Sequence, residues 1–250
     1  MRVCPVAFGR PLPHLSDMTE LTVATWNMQK GFGTDFRRDP VRAAGVIAAL
    51  GADIVALQEA DRRFRTRAGV LDLAALRDTT GLVPVPVPLP TGALAHGWHG
   101  NLLLARAAEV EEVRTLRLPG IEPRGAIVAD LVHDGQPLRV IAAHMGLLRR
   151  ARSAQAHELA REIAEDDDRP TLLLGDLNEW RPGTRSALAP LYARCAHAVH
   201  GKSFPAPLPV LPLDRIFLST RPRAIEVSVH DSGPARRASD HLPLVARIRF

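Results

Sequence analysis

The stretch "TLLLGDLNEW", residues 171–180, decides how this chain is read. Leu172, Leu173 and Leu174 suit a strand buried on both faces, and such a strand has no use for the carboxylate of Asp176 and the carboxamide of Asn178 that follow. Those two residues lie two apart, so on an extended chain they project to the same side. Gly175 lets the backbone come close to whatever lies above it. The stretch predicts a strand that leaves the core at a rim and presents polar groups there.

The pattern recurs along the chain. Apolar runs that fit strands occupy 21–27, 53–59, 101–106, 125–132, 138–145, 171–178, 213–219 and 242–250. Asn27, Glu59 and His144 stand at the ends of three of them, Asp214 stands at the start of "LDRIFLS", and "SDH" (239–241) precedes the last. Any one has a structural reading: a turn cap, a surface ion pair, a hydrogen-bonded core histidine. Polar strand ends that gather at one rim of a sheet are how active sites are built.

Helices are expected at 39–51, with Asp39 as N-cap, Pro40 at the first position and Gly51 as the stop, and at 150–168, with a weaker candidate at 70–81. The proline-rich stretches 81–92 and 204–214 allow an edge strand or an extended loop but hardly a central strand. Strands in hairpin-like succession together with strands separated by helices predict mixed sheets with helices outside them, in one α/β domain over 19–250. Residues 1–18 read as a loose extension with prolines where a signal peptide needs a continuous apolar run.

A formal charge of +5 and a pI near 10.1 favour anionic partners: nucleic acid, phosphorylated small molecules or an acidic membrane surface. Nearly all the positive charge is arginine, clustered at 62–67, 147–152 and 235–237 beside the polar strand ends. A rim of arginines would draw in polyanions, and a set of solvated loops would look the same. Cys4 and Cys195 have no metal-ligand spacing and make no disulfide framework, so a reducing cytoplasm is the default expectation. No apolar run approaches a membrane span, and a monomer is the default.

"TVATWNMQKG", "DIVALQEAD", "PRGAIVADL", "VIAAHMGL", "LLLGDLNEW", "LDRIFLS" and "ASDHLPLVARI", in this order, resemble the motif series of the endonuclease/exonuclease/phosphatase superfamily, the DNase I-like hydrolases, and in particular its small bacterial stand-alone members. The resemblance runs from about residue 20 to the C-terminus. It implies a four-layer α/β/β/α sandwich of two mixed sheets and a phosphate-ester hydrolase dependent on Mg²⁺ or Mn²⁺. By the same resemblance Glu59 is the primary metal ligand, and Asn27 and Asp240 support the cation. Asp176 orients or deprotonates the attacking water, and Asn178 holds the phosphate or that water. His241 is the catalytic histidine with Asp214 behind it, and His144 and Arg124 contact the phosphate. Trp98 and Asn101, in "GWHGN" (97–101), stand where members that cleave at abasic sites usually carry a tyrosine, and are expected to line the substrate. Activity on a phosphodiester, of nuclease type or otherwise, is the leading expectation. Phosphomonoesterase or lipid-headgroup phosphodiesterase activity and a catalytically silent phospho-ligand module are the alternatives.

Overall fold

The computed structural model describes residues 20–62, 66–88, 90–163, 169–182 and 185–250; the extension at 1–18 and part of the 62–67 arginine cluster lie outside them. Two six-stranded mixed sheets pack face to face. The first runs β11 (Ala224–Val229), β12 (Leu244–Arg249), β1 (Leu21–Asn27), β2 (Ile54–Gln58), β4 (Leu102–Arg106), β3 (Leu82–Pro84). The second runs β5 (Ala108–Leu118), β6 (Arg124–His133), β7 (Gln136–His144), β8 (Thr171–Asp176), β10 (Asp214–Leu218), β9 (His197–His200). This is the four-layer sandwich expected.

Alternation along each strand builds the layers. In β8, Leu172 and Leu174 join Val23, Ile54, Leu103, Ile127 and Ile216 between the sheets, whereas Leu173 turns outward to meet Leu159, Leu188 and Leu191. The outer helices on that side are α3 (Arg149–Arg161) and α4 (Ala189–Arg194). On the other side α1 (Pro40–Ala49), α2 (Leu73–Thr80) and α5 (Gly233–Ala238) cover Ala24, Trp26, Val55 and Leu57. α1 begins as its sequence prescribes: the Asp39 carboxylate accepts from the Arg42 amide, and Pro40 occupies the first turn. α3 ends at Arg161, with Glu162 as its C-cap, short of the 150–168 expected; residues 164–168 lie outside the described set.

All eight expected strands are present. The other four, β3, β5, β9 and β11, are the four edges of the two sheets, and the proline-rich 81–92 stretch supplies one of them, β3. One expectation changes: β8 ends at Asp176, and Asn178 has φ 52°, so the two residues do not lie on one extended chain that would project both side chains to the same side. The cause is local, because Asp176 Oδ1 accepts from the Asn178 amide at 3.0 Å and closes a tight turn.

Gly175 is a point of close contact. A Cβ there would stand 1.8 Å from the Ala143 carbonyl oxygen of neighbouring β7. Gly175→Ala must push two paired strands apart one residue before Asp176, and is expected to cost about 3 kcal/mol in a denaturant melt. A loss under about 0.5 kcal/mol would mean the strands yield freely.

Candidate active site

Strand register brings the polar residues together. Across the second sheet Gly125, His144, Asp176 and Asp214 stand in one rung, since Gly125 pairs with His144, His144 with Asp176, and Asp176 with Asp214. In the first sheet Asn27 pairs with Gln58, so Asn27 and Glu59 leave adjacent strand ends. The amide of Asn27 donates to Asp176 Oδ2 at 3.0 Å, a polar bond between the two sheets at this end of the sandwich. Glu59 (φ 53°), Lys30 (φ 59°) and Asn178 all adopt left-handed backbone where these strands stop, a strain that concentrates at functional sites.

Asp176 Oδ2 is the centre of the cluster. Besides the Asn27 amide it faces His144 Nε2 at 3.5 Å and His241 Nε2 at 3.7 Å. His241 Nδ1 lies 2.9 Å from Asp214 Oδ2, which also accepts a short hydrogen bond from the Ser203 hydroxyl. Burial works against charge on His241, but Asp214 and Asp176, with a smaller contribution from Asp240, hold its proton and push its pKa up to about 10. At neutral pH it is an imidazolium that donates from Nδ1 to Asp214 and carries a second N–H toward Asp176. His144 is the reverse: burial, then the positive charges of Arg124, His241 and Lys30, push it well below the usual histidine value, so it is neutral. Burial raises the Asp176 carboxyl, and His241 opposes that rise.

Arg124 reaches this centre from the start of β6. Its Nη1 lies 2.9 Å from His144 Nδ1, and Glu122 fixes the guanidinium from behind at 3.2 and 3.0 Å. The other Glu122 oxygen takes the Leu147 amide at 2.8 Å. Asp240 Oδ2 accepts from the Gln29 side chain at 3.2 Å, and the Ser239 hydroxyl donates to the Asn27 carbonyl at 2.7 Å, so the "SDH" segment is sewn onto the end of β1. Asn178 donates to the Met145 carbonyl at 2.9 Å and links the β8 turn to the β7 end.

Trp98 and Asn101 are placed differently from the rest. The Trp98 indole donates to the Leu116 carbonyl and lies over Gly125, where a Cβ would come within 2.6 Å of the ring. Asn101 is fully buried and donates to the carbonyls of Trp98 and Gly125. In this structure both brace the β4 entry against β6. His99, between them in sequence, lines the cleft.

The residues assigned to a metal offer only oxygen: the Glu59 and Asp240 carboxylates and the Asn27 carboxamide. Such a set fits a hard divalent cation. The Lys30 ammonium sits against the Glu59 carboxylate, which shows that this carboxylate is open to a positive charge from the cleft side. Asp176, Asp214 and His241 also bring ligand-type atoms within 4.8 Å of one another.

The model of the Endonuclease/Exonuclease/phosphatase family matches residues 24–241, which spans every residue of this cluster. The chain belongs to that family. Members are hydrolases of phosphate esters, and the superfamily expected from the motif series is therefore the one found. The chain is 29% identical over 262 residues to YbhP, an uncharacterized protein of Escherichia coli (strain K12), covering 96% of this chain and all of YbhP. Among solved structures, it resembles an endonuclease/exonuclease/phosphatase from Beutenbergia cavernae with a TM-score of 0.65 at 21% identity, over 93% of this chain and 72% of that one. It resembles the mannosyl-6-phosphatase Bt3783 of Bacteroides thetaiotaomicron with a TM-score of 0.66 at 19% identity, over 92% of this chain and 100% of that one. These likenesses establish the DNase I-like fold.

Within the family frame, Lys30, Glu122, Ser203 and Ser239 join the cluster without having been singled out from sequence. Lys30 and Ser239 lie inside quoted motifs. Glu122 and Ser203 lie in loops whose pattern carries no signal, and only the folded contacts show them.

Proposed function

We propose that this protein is a divalent-metal-dependent phosphodiesterase in which Asp176 orients the attacking water. The observation that carries the reading is Asp176 Oδ2, a buried carboxylate oxygen facing one charged and one neutral imidazole. Environments that drive the protonation of paired groups apart separate acid from base. A Mg²⁺ or Mn²⁺ held by Glu59, with Asn27 and Asp240 in support, would neutralise non-bridging phosphate oxygens. The chain's own residues do the rest. His241, fixed by Asp214, presents its second N–H to the pentacovalent phosphorane. Arg124, clamped by Glu122, grips a phosphate oxygen beside neutral His144. Asn178 keeps one amide hydrogen and its oxygen for the phosphate or the water. The water oxygen bonds to phosphorus, its proton passes to Asp176, and the ester oxygen departs with a proton drawn from His241 or solvent.

A phosphomonoesterase is the second reading. It is favoured by the cations Lys30, Arg62, Arg67 and Arg124 in one cleft, which suit a dianion, and by the fold shared with a mannosyl-6-phosphatase. A silent binding module is disfavoured because no member of the cluster has been lost.

The test is a panel with purified protein in Mg²⁺ or Mn²⁺: supercoiled DNA, single-stranded RNA, phospholipids, inositol phosphates, bis-p-nitrophenyl phosphate and its monoester. Higher kcat/KM on diesters than on matched monoesters supports the first reading, and the reverse order supports the second. No turnover of any substrate contradicts both. No described helix is long and apolar enough to cross a membrane.

A further inference from the structure

An open cleft lies at the cluster, and Arg62, Arg67, His99, Glu122, Arg124 and His144 are among the residues that line it. Its second-sheet side carries Arg124 and His144, the groups for the scissile phosphate. Its first-sheet side carries Arg62 and Arg67, on the segment that follows Glu59. The charges of the two sides are compensated unequally. Glu122 holds Arg124, and Glu59 holds Lys30. Arg62 and Arg67 form no side-chain hydrogen bond or ion pair with any described residue. Asp61, next to Arg62 in sequence, is buried and its carboxylate takes the His96 amide at 2.9 Å. His99 adds no charge, since burial and then Arg67 lower it. Both arginines thus line the same cleft as the scissile-phosphate groups, and among the described residues nothing accepts from either guanidinium.

Resting on the phosphohydrolase reading, we propose that Arg62 and Arg67 form a subsite for a second phosphate, so that the preferred substrate carries another phosphate group besides the one attacked. Guanidinium forks bind phosphate bidentately, and an arginine pair left uncompensated in a concave site favours a ligand that brings the missing negative charge. The shared chemistry is two phosphates on one small scaffold, whether a nucleotide or a polyol.

Calorimetric titration of the full chain in Mg²⁺ tests this without requiring turnover. The probes are thymidine 3′,5′-bisphosphate against thymidine 5′-monophosphate, and inositol 1,4-bisphosphate against inositol 1-phosphate. The subsite predicts that at least one bisphosphate binds about tenfold more tightly than its monophosphate, as one charge-assisted contact warrants. That ratio should fall below about threefold in Arg62→Gln/Arg67→Gln. It should persist in Arg221→Gln/Arg223→Gln, which removes two arginines beyond the far end of β10. Equal affinity for the two members of both pairs overturns the proposal, and so does a ratio that survives loss of Arg62 and Arg67. The pair that shows the ratio identifies the scaffold. Bis-p-nitrophenyl phosphate hydrolysis on the same preparations keeps the two ideas apart: an inactive protein with the ratio intact loses the chemistry and keeps the subsite.

Discussion

Asp176→Asn is expected to lower phosphodiester hydrolysis by roughly 10³–10⁴-fold, the size of effect seen when one member of a catalytic unit that acts as a whole is disabled. Asp176 accepts from the Asn27 side chain through one oxygen and from the Asn178 amide through the other. A carboxamide can keep one of those bonds and must set an NH₂ against a donor at the other. It also removes the negative charge that His241 faces and the base that would take the proton of water. The fold should survive, because a buried carboxylate is itself expensive to desolvate and its loss returns part of that cost. The thermal midpoint should move by only a few degrees while kcat collapses. A variant that keeps more than a tenth of wild-type kcat would remove Asp176 from the reaction.

Glu179→Ala should do the opposite, with its main effect on stability. Glu179 has no exposed surface, and its carboxylate takes the amides of Arg181 at 2.8 Å and Ala187 at 3.1 Å and faces the Arg152 guanidinium at 3.4 Å. Arg152, also buried, donates to the carbonyls of Gly146 and Leu147 just beyond His144, and Arg215 donates to the Glu179 carbonyl at 2.7 Å. The network joins the turn that carries Asn178 to the loop that follows His144. Truncation leaves a buried guanidinium without its counter-charge and two amides unpaired, for an expected loss of about 3–5 kcal/mol by denaturant unfolding. Glu179→Gln, which keeps an acceptor, should lose about half as much. A loss under 1 kcal/mol for the alanine variant would show that water or a rearranged loop replaces the carboxylate.

These two residues are neighbours in "GDLNEW", yet only one was legible in the sequence. Asp176 stood out because an acid contradicts the three leucines before it. Glu179 did not, because a glutamate three residues past a strand end looks like any solvated loop, and its burial depends on Arg152 and Ala187 arriving from elsewhere. The same division holds for the fold. The central strands announce themselves by runs such as "IVAL" and "VIAA", since both faces are covered. The edge strand β5 mixes glutamate and arginine with valine, and β11 mixes glutamate and serine with valine, because one side of an edge faces solvent. The order of strands in each sheet was not legible at all, because parallel pairing of β1 with β2 and of β7 with β8 is set by tertiary packing. The candidate site was readable as a set of polar strand ends. What the sequence could not show was the register that sets His144, Asp176 and Asp214 in one rung, or that Trp98 and Asn101 turn their polar atoms to backbone carbonyls.

Glu59 is proposed to anchor a hard cation on which phosphate-ester hydrolysis depends. The most direct measurement is bis-p-nitrophenyl phosphate turnover by chelator-treated protein as Mg²⁺ or Mn²⁺ is titrated back, for wild type and Glu59→Ala. The expected result is activity abolished by chelation and restored by metal in the wild type, and at least a 10²-fold deficit at saturating metal in the variant. Full wild-type activity in excess chelator, or wild-type turnover by Glu59→Ala, would contradict it.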